Sequence, residues 1–133
     1  MKAQIAIEYL AIIGIVIAAI SLMAAYVWQQ NEISSRLQQA NVAVNSIVAA
    51  ADNLYAQGPG AKDQIRVVFP SGYTSSLSSI SDNRIVLKIY TPIGFTDVVG
   101  ETKANVSGSL PAEEGLRVLT LETINGYVSI SSS

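Results

Sequence analysis

The chain has 133 residues, a formal net charge of −2 and a sequence pI near 4.9. Half of its residues are hydrophobic and 14% are charged, and lysine and arginine form no run, so the composition excludes a clustered cationic surface for nucleic acid. The sequence contains no cysteine and no histidine, which excludes disulfide scaffolds, Cys/His metal sites and thiol or imidazole catalysis.

An apolar segment, residues 9–28, follows the first few residues and reads YLAIIGIVIAAISLMAAYVW. A helix of that length, at about 1.5 Å per residue, spans roughly the hydrocarbon thickness of a bilayer. Tyr9 lies at one end, and Tyr26 and Trp28 lie at the other, as in the aromatic belts of membrane proteins. The segment predicts a membrane-spanning helix. A secretory signal peptide fits less well, because its apolar region is shorter and the helical pattern here continues beyond Trp28.

Two further features distinguish this segment from a simple anchor. The chain carries no charge between Glu8 and Glu32, and a lone carboxylate at the edge of such a helix is costly without a partner. A cut between Ala3 and Gln4 would supply one, the free α-amine of Gln4. Small residues also recur along one helical face, in steps of three and four, and form a small-residue stripe: Ala11, Gly14, Ala18, Ser21 and Ala25. Such a stripe lets helix backbones approach closely.

The helix is predicted to continue to Gln57, because no glycine or proline lies between Gly14 and Gly58. Apolar residues in its second half form a seam with helical spacing: Ile33, Leu37, Ala40, Val44, Ile47, Ala51 and Leu54. The seam packs either on the chain's own sheet or on another helix as a coiled coil. We expect the sheet, because the residues that follow need a packing surface. The sequence Gln57-Gly58-Pro59-Gly60 ends the helix.

Beyond residue 58 the apolar period changes to two, which is typical of strands. The predicted strands are Gln64–Phe69, Arg84–Tyr90, Phe95–Val99, Ala104–Ser107, Leu116–Thr123 and Tyr127–Ile130. Asn125-Gly126 predicts a hairpin with a type I′ turn, and the serine-rich residues 71–82 predict a loop with a short helical or strand element. The fold class is therefore α+β: a long N-terminal hydrophobic helix packed on a C-terminal antiparallel β-sheet or sandwich head, residues 58–133.

The polar residues of this region predict no catalytic, cofactor or metal site. Glu113 and Glu114 are adjacent in a turn and are expected to point apart as solvated charges, and the aspartates lack the spacing of a calcium loop. Asp82 and Asp97 are interpreted as turn or strand-edge residues. The sequence therefore predicts a protein that is not an enzyme. Asn105, in Asn-Val-Ser, is a candidate N-glycosylation site on an exported chain.

The N-terminus resembles the precursors of archaeal type IV pilins. Lys2-Ala3 followed by QIAIEYL, residues 4–10, is similar to their class III signal peptides, which are short, basic and cut before a glutamine, with glutamate at the fifth mature position. Family members commonly have glycine before the cut and serine two residues before the glutamate, and Ala3 and Ala6 keep those positions small. Residues 68–73, 83–87 and 105–111 also look like parts of archaeal pilin heads.

The resemblance implies a structural subunit of an extracellular adhesion filament. Residues 1–3 would be a leader removed by a prepilin peptidase, residues 4–57 would span the membrane in the precursor and form the filament core, and residues 58–133 would form the head. It implies as partners further copies of the chain, a membrane assembly platform with its ATPase, and a surface or cell to which the pilus adheres. Contacts between subunits would involve Gln4, Glu8 and the stripe residues Gly14, Ala18, Ser21 and Ala25.

Two alternatives stay open at the level of sequence. One is a monomeric, membrane-anchored extracellular binding module, and the other is an archaellum-like filament subunit. The frame of Gln4 and Glu8 favours the adhesion pilin over the archaellum-like subunit, whose relatives usually lack it.

Processing of the N-terminus tests the resemblance directly. We expect the mature subunit to begin at Gln4 or its cyclised form, as intact-mass measurement of isolated filaments would show. Ala3→Trp should leave uncut precursor in the membrane, because a bulky residue replaces the small one before the cut, whereas Ala3→Gly should be processed normally. Filament subunits that retain Met1-Lys2-Ala3 would contradict the leader assignment.

Overall fold

The computed structural model of the chain describes residues 2–132. Met1 of the predicted leader and Ser133 of the predicted head therefore lie outside the described residues. A single long helix, α1 (Lys2–Gln57), precedes the strands. The strands are β1 (Lys62–Phe69), β2 (Ser79–Ser81), β3 (Arg84–Thr91), β4 (Gly94–Glu101), β5 (Asn105–Gly108), β6 (Gly115–Ile124) and β7 (Tyr127–Ser132). The chain divides into two compact units, of which the first ends at Ile33 and the second begins at Ser34.

The described residues of the first unit, 2–33, are all helical. Every described side chain from Lys2 to Glu32 is exposed, and Ile33 at the end of the unit is 8% exposed. Apolar residues surround this part of the helix on all sides, because the stretch from residue 9 to residue 28 contains no charge. The unit therefore has an apolar surface rather than one apolar face.

The helix ends where the sequence predicts. Gly58 has a φ of +95°, a conformation that glycine adopts without steric cost, and its N–H donates to the carbonyl of Tyr55 at 3.2 Å. The chain then turns directly into β1.

Two sheets make up the rest of the second unit. The larger sheet has the strand order β1-β6-β7-β5, and the smaller has the order β2-β3-β4. All six predicted strands are present, most of them one or two residues longer than predicted. The serine-rich segment contains both a short 3-10 helix (Ser75–Leu77) and β2. The predicted α+β class, with the helix packed on a β-rich region, is confirmed.

Two details of the strand connections differ from the prediction. β5 pairs with β7 in parallel, whereas all the other ladders are antiparallel. No hairpin joins these two strands, so no tight turn forces them to be antiparallel. The hairpin at Asn125-Gly126 is confirmed, but its predicted type I′ turn is wrong. Gly126 has a φ of +86°, whereas among the described residues other than glycine only Asp82 has a positive φ. One positive φ at the second central residue fits a type II turn.

The predicted seam forms the centre of the core of the second unit. Ala40, Val44, Ile47, Ala51 and Leu54 are at most 3% exposed, and Leu37 packs against them half-buried. They share one hydrophobic cluster with buried residues of both sheets: Ile85, Leu87, Ile89, Leu119, Leu121, Val128 and Ile130. The polar residues off the seam, such as Gln38 and Asn45, are exposed. The helix therefore completes a core that the strands alone would leave thin.

Gly100 of β4 lies directly beneath the helix. A Cβ at this position would overlap the side chains of Val44 and Val48. The helix can therefore approach β4 this closely only because residue 100 has no side chain.

Truncating the seam tests this packing. Ile47→Ala removes a fully buried side chain and should lower the free energy of unfolding by about 2–5 kcal/mol, measured by urea denaturation of a soluble fragment that begins near residue 29. Asn45→Ala, two residues away on the exposed face, is the control and should change stability little. If the fragment dimerises and Ile47→Ala abolishes only the dimer, the coiled-coil interpretation of the seam would be correct instead.

Candidate functional site

The most prominent surface of the described chain is the apolar segment of the first unit. Ile15, Leu22 and Trp28 are 71%, 74% and 78% exposed, respectively. Among the described residues, α1 is the one helix that is long and apolar enough to cross a membrane. This agrees with the predicted membrane-spanning helix and associates the precursor with a membrane.

The small-residue stripe lies on this exposed surface. A Cβ at Gly14 would have no atom within 4 Å, so nothing within the described chain requires glycine there. Glycine inside a helix nevertheless costs about 1 kcal/mol relative to alanine. The Ser21 hydroxyl donates to the carbonyl of Ile17 at 2.9 Å, which satisfies it inside its own helix and suits it to an apolar environment. Gly14, Ala18, Ser21 and Ala25 therefore form an exposed strip of small side chains on the helix.

The predicted cleavage site lies at the start of the helix. Ala3 and Gln4 belong to the first turn of α1, and Glu8 lies one turn further along. The first amide groups of a helix have no intrahelical acceptor, so this turn unwinds readily. Because residues four apart share a helix face, an amine created at Gln4 would lie on the same face as Glu8.

Three carboxylates that the sequence analysis considered are engaged in structural contacts. The Glu113 carboxylate lies 2.8 Å from the Arg117 guanidinium, and Glu114 accepts a hydrogen bond from the Gly72 N–H at 3.0 Å. The two glutamates thus point to different neighbours, as predicted. Asp97 of β4 lies opposite Lys88 of β3 in an ion pair of 3.4 Å. The sequence did not reveal the partner of Asp97, because that pair depends on strand register, or the partner of Glu114, because that hydrogen bond joins two turns distant in sequence.

Burial raises the pKa of Tyr73 to about 12, against a smaller lowering effect from its hydrogen bond with Ser78. Its hydroxyl donates to the Pro111 carbonyl at 2.8 Å, and its ring packs on Phe69 with ring centroids 4.8 Å apart. The phenol is therefore neutral at ordinary pH. Its geometry is that of a structural link between two loops rather than that of an acid or base.

A groove between α1 and β1 is a feature that sequence reasoning missed. It has a volume of about 400 Å³ and lies entirely in the second unit. Its lining residues combine amides and hydroxyls with valines: Ser35, Gln38, Gln39, Val42, Ala43, Ser46, Arg66, Val67 and Val68. The predicted seam gave no signal for it, because the lining residues on the helix lie off the seam.

The tip of the β3–β4 hairpin is a second feature that was missed. Tyr90, Ile93 and Phe95 are 53%, 76% and 55% exposed, and we call them the hairpin-tip cluster. An isoleucine in a tight turn is the one sequence signal that points to it, because turns favour polar residues, glycine and proline.

The candidate glycosylation residue lies on the edge region of the larger sheet. Asn105 begins β5 and is exposed, as is Ser107, whereas Val106 between them is 2% exposed. The alternation of the strand therefore directs both polar side chains of the sequon outward.

Comparison with known proteins identifies no relative: no protein family, no curated protein sequence and no solved structure matches this chain.

The exposed sequon generates a direct test. We expect subunits from the native host to be heavier than the polypeptide by at least one glycan, and Asn105→Gln should remove that mass. Ser107→Ala should have the same effect because it destroys the sequon, whereas Ser109→Ala lies outside it and should keep the glycan. If the mass of the Asn105→Gln variant differs from that of the wild type only by the added CH₂ group, Asn105 is unmodified.

Proposed function

We propose that this chain is the structural subunit of an extracellular archaeal type IV adhesion pilus and polymerises through α1 after cleavage before Gln4. The observation that carries the proposal is the exposed apolar surface of the first unit, residues 9–28, which the chain itself leaves uncovered. In water such a surface is strongly unfavourable, so it requires a cover supplied from outside.

In this proposal, two environments surround the apolar segment in succession. Lipid surrounds the helix in the precursor, and neighbouring helices replace the lipid when the subunit enters the filament. Helix association in place of lipid gains little from the hydrophobic effect and depends on close packing. The small-residue stripe permits such packing, and a heterologous contact that does not close on itself gives an open helical polymer.

Glu8 and Gln4 provide the polar part of the same contact. Once Gln4 is the first residue, its α-amine and the Glu8 carboxylate are opposite charges at the mouth of an apolar bundle. A pair between Gln4 of one copy and Glu8 of its neighbour compensates both charges when lipid or protein excludes water. Buried pairs of this kind contribute little net stability but can set the register of the helices.

A membrane-anchored binding module explains fewer features of the sequence than the filament subunit does. An anchor needs apolar side chains and a suitable length, but it has no use for the glycine at position 14 or for a carboxylate at position 8. Both features are costly in an isolated membrane helix, and the filament assigns each of them a role.

Replacing Glu8 tests the assembly role. Glu8→Ala removes a charge that is unfavourable in lipid, so the level of membrane-inserted precursor should be unchanged while the yield of sheared filaments falls. Quantitative blotting of membrane and sheared fractions, with electron microscopy of the filaments, measures both quantities.

Two conservative variants separate charge from shape. Glu8→Asp keeps the charge on a shorter side chain and should give an intermediate filament yield. Glu8→Gln keeps the shape without the charge and should resemble Glu8→Ala if the Gln4 amine is free. Normal filaments from all three variants would overturn the role of Glu8, and a full-length chain that never polymerises in its host would overturn the filament itself.

A further inference from the structure

The hairpin-tip cluster is an apolar surface at one end of the second unit. Tyr90 and Phe95 face each other across the β3–β4 ladder, and their rings meet edge to face with centroids 5.4 Å apart. Ile93 lies in the turn between them and is 76% exposed. Three large apolar or aromatic side chains exposed side by side form a contiguous patch, which is more informative than single exposed apolar residues.

Contacts between the helix and the hairpin locate this cluster along the helix. The Arg36 guanidinium donates to the Tyr90 carbonyl at 3.1 Å, next to the tip. Gly100 lies beneath Val44 and Val48, and further on the Lys103 N–H donates to Asp52 at 2.9 Å. With increasing distance from the tip, the hairpin and the residues after it therefore contact helix residues with progressively higher numbers, from 36 to 52. It follows that the tip lies at the end of the second unit where the chain enters at Ser34.

The tip is held in place rather than loosely tethered. Thr91 is fully buried, and its hydroxyl donates across the turn to the Gly94 carbonyl at 2.7 Å. The Tyr90 N–H donates to the Gly72 carbonyl, also at 2.7 Å. With Arg36, these bonds fix the backbone on both sides of Ile93, so the cluster presents a defined surface.

The charged side chains on the outer face of the hairpin lie beyond the hairpin-tip cluster, towards the other end of the hairpin. The cross-strand pair next to the cluster is Lys88 with Asp97, at 3.4 Å, and the pair at the far end is Arg84 with Glu101, at 3.5 Å. The hairpin thus changes from apolar and aromatic at the Ser34 end to ionic towards its other end. Tyrosine suits the boundary between hydrocarbon and water because its ring is apolar and its hydroxyl is polar, and the neighbouring Phe95 and Ile93 add apolar surface.

We propose that the hairpin-tip cluster contacts the lipid interface of the membrane that holds the precursor. Only residues 29–33 separate the aromatic end of the apolar segment, at Trp28, from Ser34. Even fully extended, the six residue steps from Trp28 to Ser34 reach no more than about 20 Å, so the covalent chain keeps the start of the second unit near the aromatic end of the apolar segment. The Ser34 end of the second unit is thus close to the lipid headgroups. The inference rests on the membrane location of the helix in the proposed function, but not on polymerisation.

The absence of cysteine allows a site-specific test on the full-length precursor. Single variants Ile93→Cys, Asn83→Cys and Ile15→Cys would each carry an environment-sensitive fluorophore, in phosphatidylcholine nanodiscs that hold one chain per disc. Asn83 is an exposed residue in the β2–β3 turn, at the opposite end of β3 from Ile93, and serves as the matched control. Ile15 reports whether the apolar segment is in lipid.

Nitroxide-labelled lipids then read out the depth of each label. A headgroup nitroxide should quench the label at residue 93 several-fold more than the label at residue 83, and the emission at residue 93 should shift to the blue. A deep acyl-chain nitroxide should quench the label at residue 15. Ile93 is exposed in a turn, so its replacement leaves the core of the second unit intact.

Other outcomes would overturn the inference in distinguishable ways. Quenching at residue 15 with equal, weak quenching at residues 93 and 83 would show that the helix is in the membrane but the tip is not. A blue shift at residue 93 that appears only with several chains per disc would assign the cluster to a second copy instead of lipid. The absence of quenching at residue 15 would show that the apolar segment is not in the membrane, and it would contradict the proposed function as well.

Discussion

The uncovered apolar surface of the first unit is the constraint on which the rest of this molecule depends. Removing apolar surface from water gains about 25 cal/mol per Å², and side chains such as Ile15 and Leu22 leave most of that gain unrealised within the single chain. The chain is therefore incomplete on its own. Any environment that it occupies must cover these side chains, and in the proposed function lipid covers them in the precursor and other apolar helices cover them in the mature subunit.

The two halves of α1 have different surfaces because the composition of the helix changes along its length. Before Ile33 it is apolar all round and its side chains are exposed, and from Ser34 onward a single seam faces the sheets of its own chain. The second unit accordingly begins inside the helix and not at the helix end. In a filament this arrangement would separate the contacts that hold one subunit together from those that join subunits.

Local sequence signals account for most of the fold. Seam residues such as Val44 and Ile47 show helical spacing, the strands alternate with period two, and Gly58 ends the helix, so each of these was accessible from the sequence alone. The parallel pairing of β5 with β7 was not, because it joins segments that no hairpin connects. The turn at Asn125-Gly126 was predicted as a hairpin but given the wrong type, since the sequence does not fix the φ of asparagine.

The candidate functional features also fall into two groups: those that the sequence alone identifies and those that require the structure. The apolar segment, Gln4, Glu8 and the small-residue stripe are contiguous in sequence and could be identified without a structure. The hairpin-tip cluster could not, because its relation to the helix depends on three contacts, at Arg36, Gly100 and Asp52, between residues distant in sequence. The period-two pattern of β3 places Tyr90 on the exposed face, but the end of the second unit at which it lies is decided by those contacts.

Gly100 has a consequence for how this protein varies over evolutionary time. Its hydrogen atom occupies space that Val44 and Val48 leave in the helix–sheet contact, so the three positions share one fixed volume. A larger residue at position 100 is compatible with the same helix position only when residue 44 or residue 48 becomes smaller. Chains of common descent with this fold should therefore show correlated changes at these three positions, while neighbouring exposed residues such as Val99 vary independently.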